Sequence, residues 1–241
     1  MKITLLLFLV IIKSKSYATP ICKLSIDLDY TFYKTFYQYG RSEIDASINK
    51  AIQIINKQLE NTLEIQLINT TLLNQFQRVR GGLSNLLDYY NQTLITLERH
   101  TKQQNCINML IVHRPHAYLD MYGIAYVGTG TDNKGGGGIC QYHISGNSYI
   151  NLIAINAIIN NPEILTRTIV HEIGHSLGAK HDCCNNHECT QNINWSNKCY
   201  ISDNPFVMHR SITKGSNSLI YSPISKRAMT WTIPLQASCL A

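Results

Sequence analysis

The chain predicts an α/β fold: a sandwich of strands and helices, followed by a small irregular C-terminal subdomain. Three observations carry that expectation. Strand-like and helix-like segments alternate as far as residue 178. A wide-faced apolar helix ends that stretch and stops at Gly178. From Cys183 to Ser222 the periodicity disappears, and four of the eight cysteines gather there.

The elements follow in order. Residues 21–30 alternate apolar and polar, which reads as a strand. Ser42 to Leu59 carries Ile44, Ile48, Ala51, Ile52, Ile55 and Leu59 at helical spacing, with Ser42 as N-cap. Leu63 to Leu67 alternates again. A second helix, Leu83 to Leu97, follows the Gly81-Gly82 break. Ile107 to Val112 is apolar except for Asn108 and reads as a mostly buried strand. Gly123 to Gly128 is a short strand, Asn133 to Gly138 a glycine-rich loop, and Tyr149 to Ile155 another strand. Asn161-Pro162-Glu163 then supplies a cap, a residue suited to the first helical position and a charge suited to the positive helix end. That helix runs to about Leu177, burying Ile164, Leu165, Ile169, Val170, Ile173 and Leu177. Ser225 to Trp231 reads as a short last helix, and no internal repeat is found.

The 241 residues suit one ordinary domain, and 44% hydrophobic residues permit a core. The formal charge of +6 is spread along the chain, without a basic cluster interleaved with aromatics, so nucleic acid is not an expected partner. Lys2, the apolar run Leu5 to Ile12 and the small residues Ser16 and Ala18 form a secretory signal, with cleavage expected after Ala18. The run is too short to span a bilayer, and no later segment is long and apolar enough to do so. The mature chain, 19–241, is expected to be secreted, extracellular and monomeric, with subdomains meeting at about residue 178. Secretion makes disulfides the default for Cys22, Cys106, Cys140, Cys183, Cys184, Cys189, Cys199 and Cys239. Adjacent Cys183 and Cys184 call for different partners. Sequons at Asn69, Asn91 and Asn194 are candidate glycan acceptors.

The chemistry concentrates in His171-Glu172-Ile173-Gly174-His175-Ser176-Leu177-Gly178-Ala179-Lys180-His181-Asp182. Histidines four apart on a helix project from one face, so His171 and His175 can share a metal ion. Imidazole suits zinc. Glu172 then points beside the metal, where it can take a proton from water. Glycine at 178 lets the chain turn back and bring in His181. Three neutral nitrogens plus one water make an open, catalytic zinc site for one ion. A bare HExxH arises by chance in helices. The six fixed letters here match by chance well under roughly once in a million positions.

This extended motif resembles that of the metzincin peptidases, which also carry a downstream methionine turn. Met208, within Phe206-Val207-Met208-His209, fits it. His181-Asp182 resembles the adamalysin (reprolysin, ADAM) branch. Cys22-Lys23-Leu24, Gly123-Ile124-Ala125-Tyr126-Val127-Gly128, Gly137-Gly138-Ile139-Cys140 and Phe206-Val207-Met208 resemble the TACE and Kuzbanian sheddases within it. The resemblance implies a twisted, mostly parallel five-stranded sheet above a zinc cleft. It implies Met208 as an apolar floor beneath the ligands. It makes Gly123, Ile124 and Ala125 the edge to which an extended peptide or protein substrate adds as a strand. Ile169, Val170 and the segment Ser211-Ile212-Thr213 would line the pocket for the side chain after the scissile bond. Cys22 would pair with Cys106, and Cys140 with Cys239.

Three departures stand out. Ile224 sits where the family often has cysteine, which leaves the pairing of Cys183, Cys184, Cys189 and Cys199 open. Arg210 replaces a common proline after the turn. The family normally carries an inhibitory prodomain before the catalytic domain and adhesive domains after it, and neither is expected here. The expected function is a secreted zinc metalloendopeptidase that hydrolyses peptide bonds of extracellular proteins. Stand-alone enzymes of this kind occur in venoms and saliva, which adds a toxin or salivary role as a hypothesis. The alternatives are a disarmed protease fold kept for binding, and a different zinc hydrolase such as an exopeptidase. The complete ligand set with Glu172 argues against the first, and the third histidine against the second.

Overall fold

In a computed structural model, the described residues are 18–37, 41–73, 82–96, 105–114, 122–128, 138–140, 142–143, 148–157, 161–182, 206–209 and 218–240. The signal segment, most of the glycine-rich loop, Cys183, Cys184, Cys189, Cys199, Asn194, Arg210, Ser211, Ile212 and Thr213 lie outside them.

Seven strands and five α-helices are described. They run β1 (Ile21–Asp29), α1 (Tyr30–Tyr37), α2 (Arg41–Gln58), β2 (Glu64–Leu73), α3 (Leu83–Thr96), β3 (Ile107–Val112), β4 (Gly123–Ala125), β5 (Tyr142–His143), β6 (Ser148–Tyr149) and β7 (Leu152–Asn156). Then come α4 (Pro162–Ser176), α5 (Pro223–Leu235) and a 3₁₀ turn, Ala237–Cys239. The main sheet has the order β2-β1-β3-β7-β4. Its first four strands are parallel, and β4 is antiparallel to β7 at the edge. β5 and β6 form a separate two-stranded ribbon. The α/β class and the mostly parallel five-stranded sheet are thus as expected.

The central strands are buried on both faces, and their alternation feeds two cores. Ile107, Met109 and Ile111 of β3 and Ile153 and Ile155 of β7 face a core shared with α2 and α4. Leu110 and Val112, with Leu152 and Ala154, face a second core against α3. Helices on both faces are what a parallel sheet requires, since neither face can meet water. β1 keeps the same alternation with Leu24, Ile26 and Leu28 on the first core. Its other face carries buried Ser25, Asp27 and Asp29. Tyr90 of α3 donates to Asp27 Oδ2 at 2.6 Å, which satisfies one of these buried polar groups.

Among the described residues there are two disulfides. Cys22 is bonded to Cys106, joining the start of β1 to the start of β3. Cys140 is bonded to Cys239, joining the chain after β4 to the turn after α5. Both are the pairs that the family resemblance implied.

Several boundaries differ from expectation. α1 was not foreseen: its run Tyr-Thr-Phe-Tyr-Lys-Thr-Phe-Tyr is rich in residues of weak helix propensity. β2 runs on to Leu73, and α5 extends to Leu235 with Pro234 inside its last turn. The strand expected over 149–155 is two, β6 and β7. Asn91 is corrected as a glycan acceptor. It lies in α3 at 9% exposure, and its Oδ1 accepts from Tyr149 N at 2.9 Å. A sugar there would have to displace the β6 strand. Asn69 is exposed on β2 and remains open to modification.

Candidate metal centre and catalytic site

The site is built on α4 and the turn that ends it. Asn161 caps α4, its side chain accepting from Ile164 N at 3.1 Å, and Pro162 opens the helix. At the other end Gly178 N bonds to His175 O and Ala179 N to Gly174 O, both at 2.9 Å. This double bond pattern is the Schellman motif, and it needs a residue of positive φ. Gly178 supplies φ +102°. A Cβ at 178 would also lie 2.3 Å from Thr232 Oγ1 of α5, so conformation and space both require glycine.

That reversal brings His181 back over the helix. His171 Nε2 and His175 Nε2 each lie 3.2 Å from His181 Nε2. The other nitrogens of the two helical rings are committed. His171 Nδ1 donates to Val207 O and His175 Nδ1 to Ala179 O, both at 2.7 Å. Each Nε2 therefore carries a lone pair, and both point at the third ring. A single proton on His181 cannot satisfy both at once, whereas a cation can accept all three. The edges of a tetrahedron with bonds of about 2.0–2.1 Å are about 3.3 Å long, which matches these spacings. Burial holds His171 well below its usual pKa, helped by the neighbouring His175, and burial also lowers His175. Both rings are thus neutral, as a metal ligand must be. The donor set fits zinc.

Glu172 is 5% exposed, and burial pushes its carboxyl up to about 8. Its Oε2 has no hydrogen-bond partner among the described residues. Its carboxylate lies against Gly123 of β4, where a Cβ would stand 2.5 Å from Oε1. The edge strand and the acid are thus in direct contact, and glycine is what permits it. Ile124 and Ala125 continue that edge, half-buried. Ile169 and Val170, on α4 itself, are fully buried in the first core.

Met208 is fully buried, and its sulfur would lie 2.6 Å from a Cβ placed on Gly174. The methionine therefore packs on bare helix backbone between the turns carrying His171 and His175. Asp182, next to the third histidine, is a structural hub. Its N–H donates to Met208 O at 3.0 Å, and its Oδ1 accepts from Ser222 Oγ at 2.6 Å and Ser225 Oγ at 3.0 Å. Ser222 also caps α5 through Ser225 N. Sequence reasoning missed these serines, although Ser222-Pro223 is itself a helix-start signal.

Fold and site together define a metallopeptidase. The family model Reprolysin_5, of metallo-peptidase family M12, matches residues 18–221, and the chain belongs to that family. Family M12 is zinc-dependent, and here His171, His175 and His181 can hold the metal. No curated protein matches the chain. Among solved structures, a similar chain comes from "Structure of a chaperone-substrate complex", at 11% identity and a TM-score of 0.48. The match covers 68% of this chain and 24% of that one, so this chain spans about a quarter of its length.

Proposed function

We propose that this chain is a secreted zinc metalloendopeptidase that hydrolyses peptide bonds of extracellular proteins bound in extended form along β4. One observation carries the reading: three imidazole Nε2 atoms converge on one point, and next to the first of these residues lies a buried carboxyl whose Oε2 has no partner among the described residues. A zinc ion held by the three Nε2 atoms would supply Lewis-acid polarisation of the scissile carbonyl and acidify water there.

The remaining steps belong to this chain's own groups. β4 lies at the end of the strand order, so its outer side can pair with a substrate backbone. That pairing would lay the substrate across Gly123, against which Glu172 rests. Glu172 Oε2 accepts a proton from the attacking water. It then gives that proton to the amine leaving as the C–N bond breaks. Its raised affinity for protons suits both halves of this transfer.

Secretion is supported by the leader at 1–18 and by the two disulfides. The finer affinity to the TACE and Kuzbanian sheddases rests on residue stretches such as Gly123–Gly128 alone. Cleavage of a peptide library with and without a zinc chelator tests the function. Internal cleavage that the chelator abolishes is expected. Cleavage confined to terminal residues, or unaffected by chelation, would overturn the reading.

A further inference from the structure

The ligand rings are aimed by carbonyl groups, and the carbonyl that aims His171 is itself held from across the molecule. We propose that Gln58, at the end of α2, is a positioning residue for the metal ligand His171, acting through the segment Leu219–Tyr221. The inference rests on the zinc reading above.

The relay is a continuous series of hydrogen bonds. Gln58 Nε2 donates to Leu219 O at 2.9 Å, and Gln58 Oε1 accepts from Tyr221 N at 2.7 Å. One amide side chain thus satisfies the peptide groups on either side of Ile220, as a neighbouring strand would. Ile220 O faces the other way and accepts from Val207 N at 2.8 Å. Val207 O then accepts from His171 Nδ1 at 2.7 Å. The segment makes a second contact with the metal helix. Tyr221 OH donates to Val170 O, the residue before His171, at 2.6 Å. Its ring would lie 2.7 Å from a Cβ on Gly174, so it packs beside Met208 on the same bare stretch of α4.

Glutamine suits this place for a chemical reason. It carries one acceptor and a two-proton donor on one planar group. Glutamate lacks the donor, and alanine lacks both. Leu219 is half-buried and Ile220 is 39% exposed. Gln58 is some 160 residues away in sequence, the two bonds spanning 161 and 163 positions. It therefore anchors this segment of the C-terminal subdomain to the N-terminal one. An outer partner that orients a ligand's acceptor tunes the metal without touching it.

The test is a zinc titration of the metal-stripped full chain against a chromophoric chelator, well below the melting temperature. The absorption spectrum of the cobalt-loaded protein is read alongside. Gln58→Ala is expected to weaken zinc about tenfold, at the lower end of outer-partner effects, and to shift the cobalt bands. Tyr221→Phe keeps the ring and removes only the bond to Val170, and a smaller loss is expected. Gln58→Glu keeps the acceptor for Tyr221 N and should fall between wild type and Gln58→Ala. It carries the same test if the alanine variant does not fold. Ile52→Val, a core change in the same helix, is expected to lower the melting temperature and leave zinc affinity unchanged. If the Gln58 variants lose stability yet bind zinc and cobalt as the wild type does, the residue is only structural and the proposal fails. If the wild type itself binds no zinc, the metal reading fails instead.

Discussion

Glu172 and Gly123 state the chemistry of this site at the scale of single residues. The carboxylate is held in a dry position that only a missing side chain leaves free. Gly123→Ala should therefore push Glu172 out of place. It should cut kcat at least tenfold while one zinc per chain is retained, as steady-state kinetics with metal analysis will show. Gly178 has the opposite emphasis, because it serves geometry and not catalysis. Gly178→Ala puts a Cβ at positive φ and 2.3 Å from Thr232 Oγ1. Denaturant unfolding should show a loss of about 2–4 kcal/mol. The neutral histidines predict a pH dependence for the metal-free protein. Burial lowers the folded-state pKa of His171 and His175. The two histidines then bind more protons in the unfolded chain below about pH 6.5, so they take stability away as pH drops through that value. Glu172, raised to about 8, acts in the opposite sense, so melting temperatures of stripped Glu172→Gln protein between pH 8 and 5 will check the sign of the histidine contribution.

At the scale of elements, α4 explains both what was legible in the sequence and what was not. Its cap, its apolar face, its pair of histidines and its terminal glycine are all local patterns, readable without a fold. Asn161→Ala should cost about 1 kcal/mol by the loss of one capping bond, measurable by denaturant titration. The relations that complete the site are not local. Gly123 against Glu172 joins positions 49 residues apart, from 123 to 172, and nothing in either short stretch announces the other. Val207 O on His171 and the serines on Asp182 are likewise contacts across 36, 40 and 43 positions. α1 stayed hidden for another reason. Its aromatic and threonine residues favour strands in isolation, and packing such as that of fully buried Phe32 overrides that preference. The far end of α5 was obscured by Pro234, which a local reading takes as a stop.

For the whole molecule, the sheet and its two cores hold the helix that bears two of the three histidines, while the Cys140–Cys239 disulfide fastens the C-terminal part to it and a bound metal would add to that. The Cys140–Cys239 bond closes 99 residues. Replacing both cysteines by serine should cost about 2–5 kcal/mol in oxidising buffer. Metal should add to this by mass action. Zinc at a hundredfold excess over its dissociation constant contributes about 2.7 kcal/mol. Stripping it should lower the melting temperature by roughly 5–10 °C. The motif region would thus have two roles, since the histidines placed to hold a metal also link α4 to the chain beyond Gly178.

The most direct measurement follows peptide cleavage while metal-stripped protein is titrated with zinc, for the wild type and for Glu172→Ala side by side. The wild type should gain activity in proportion to zinc and level off at one ion per chain. Glu172→Ala should take up the same single ion and cleave nothing. Cleavage by the Glu172→Ala protein, or wild-type cleavage indifferent to zinc, would contradict the account.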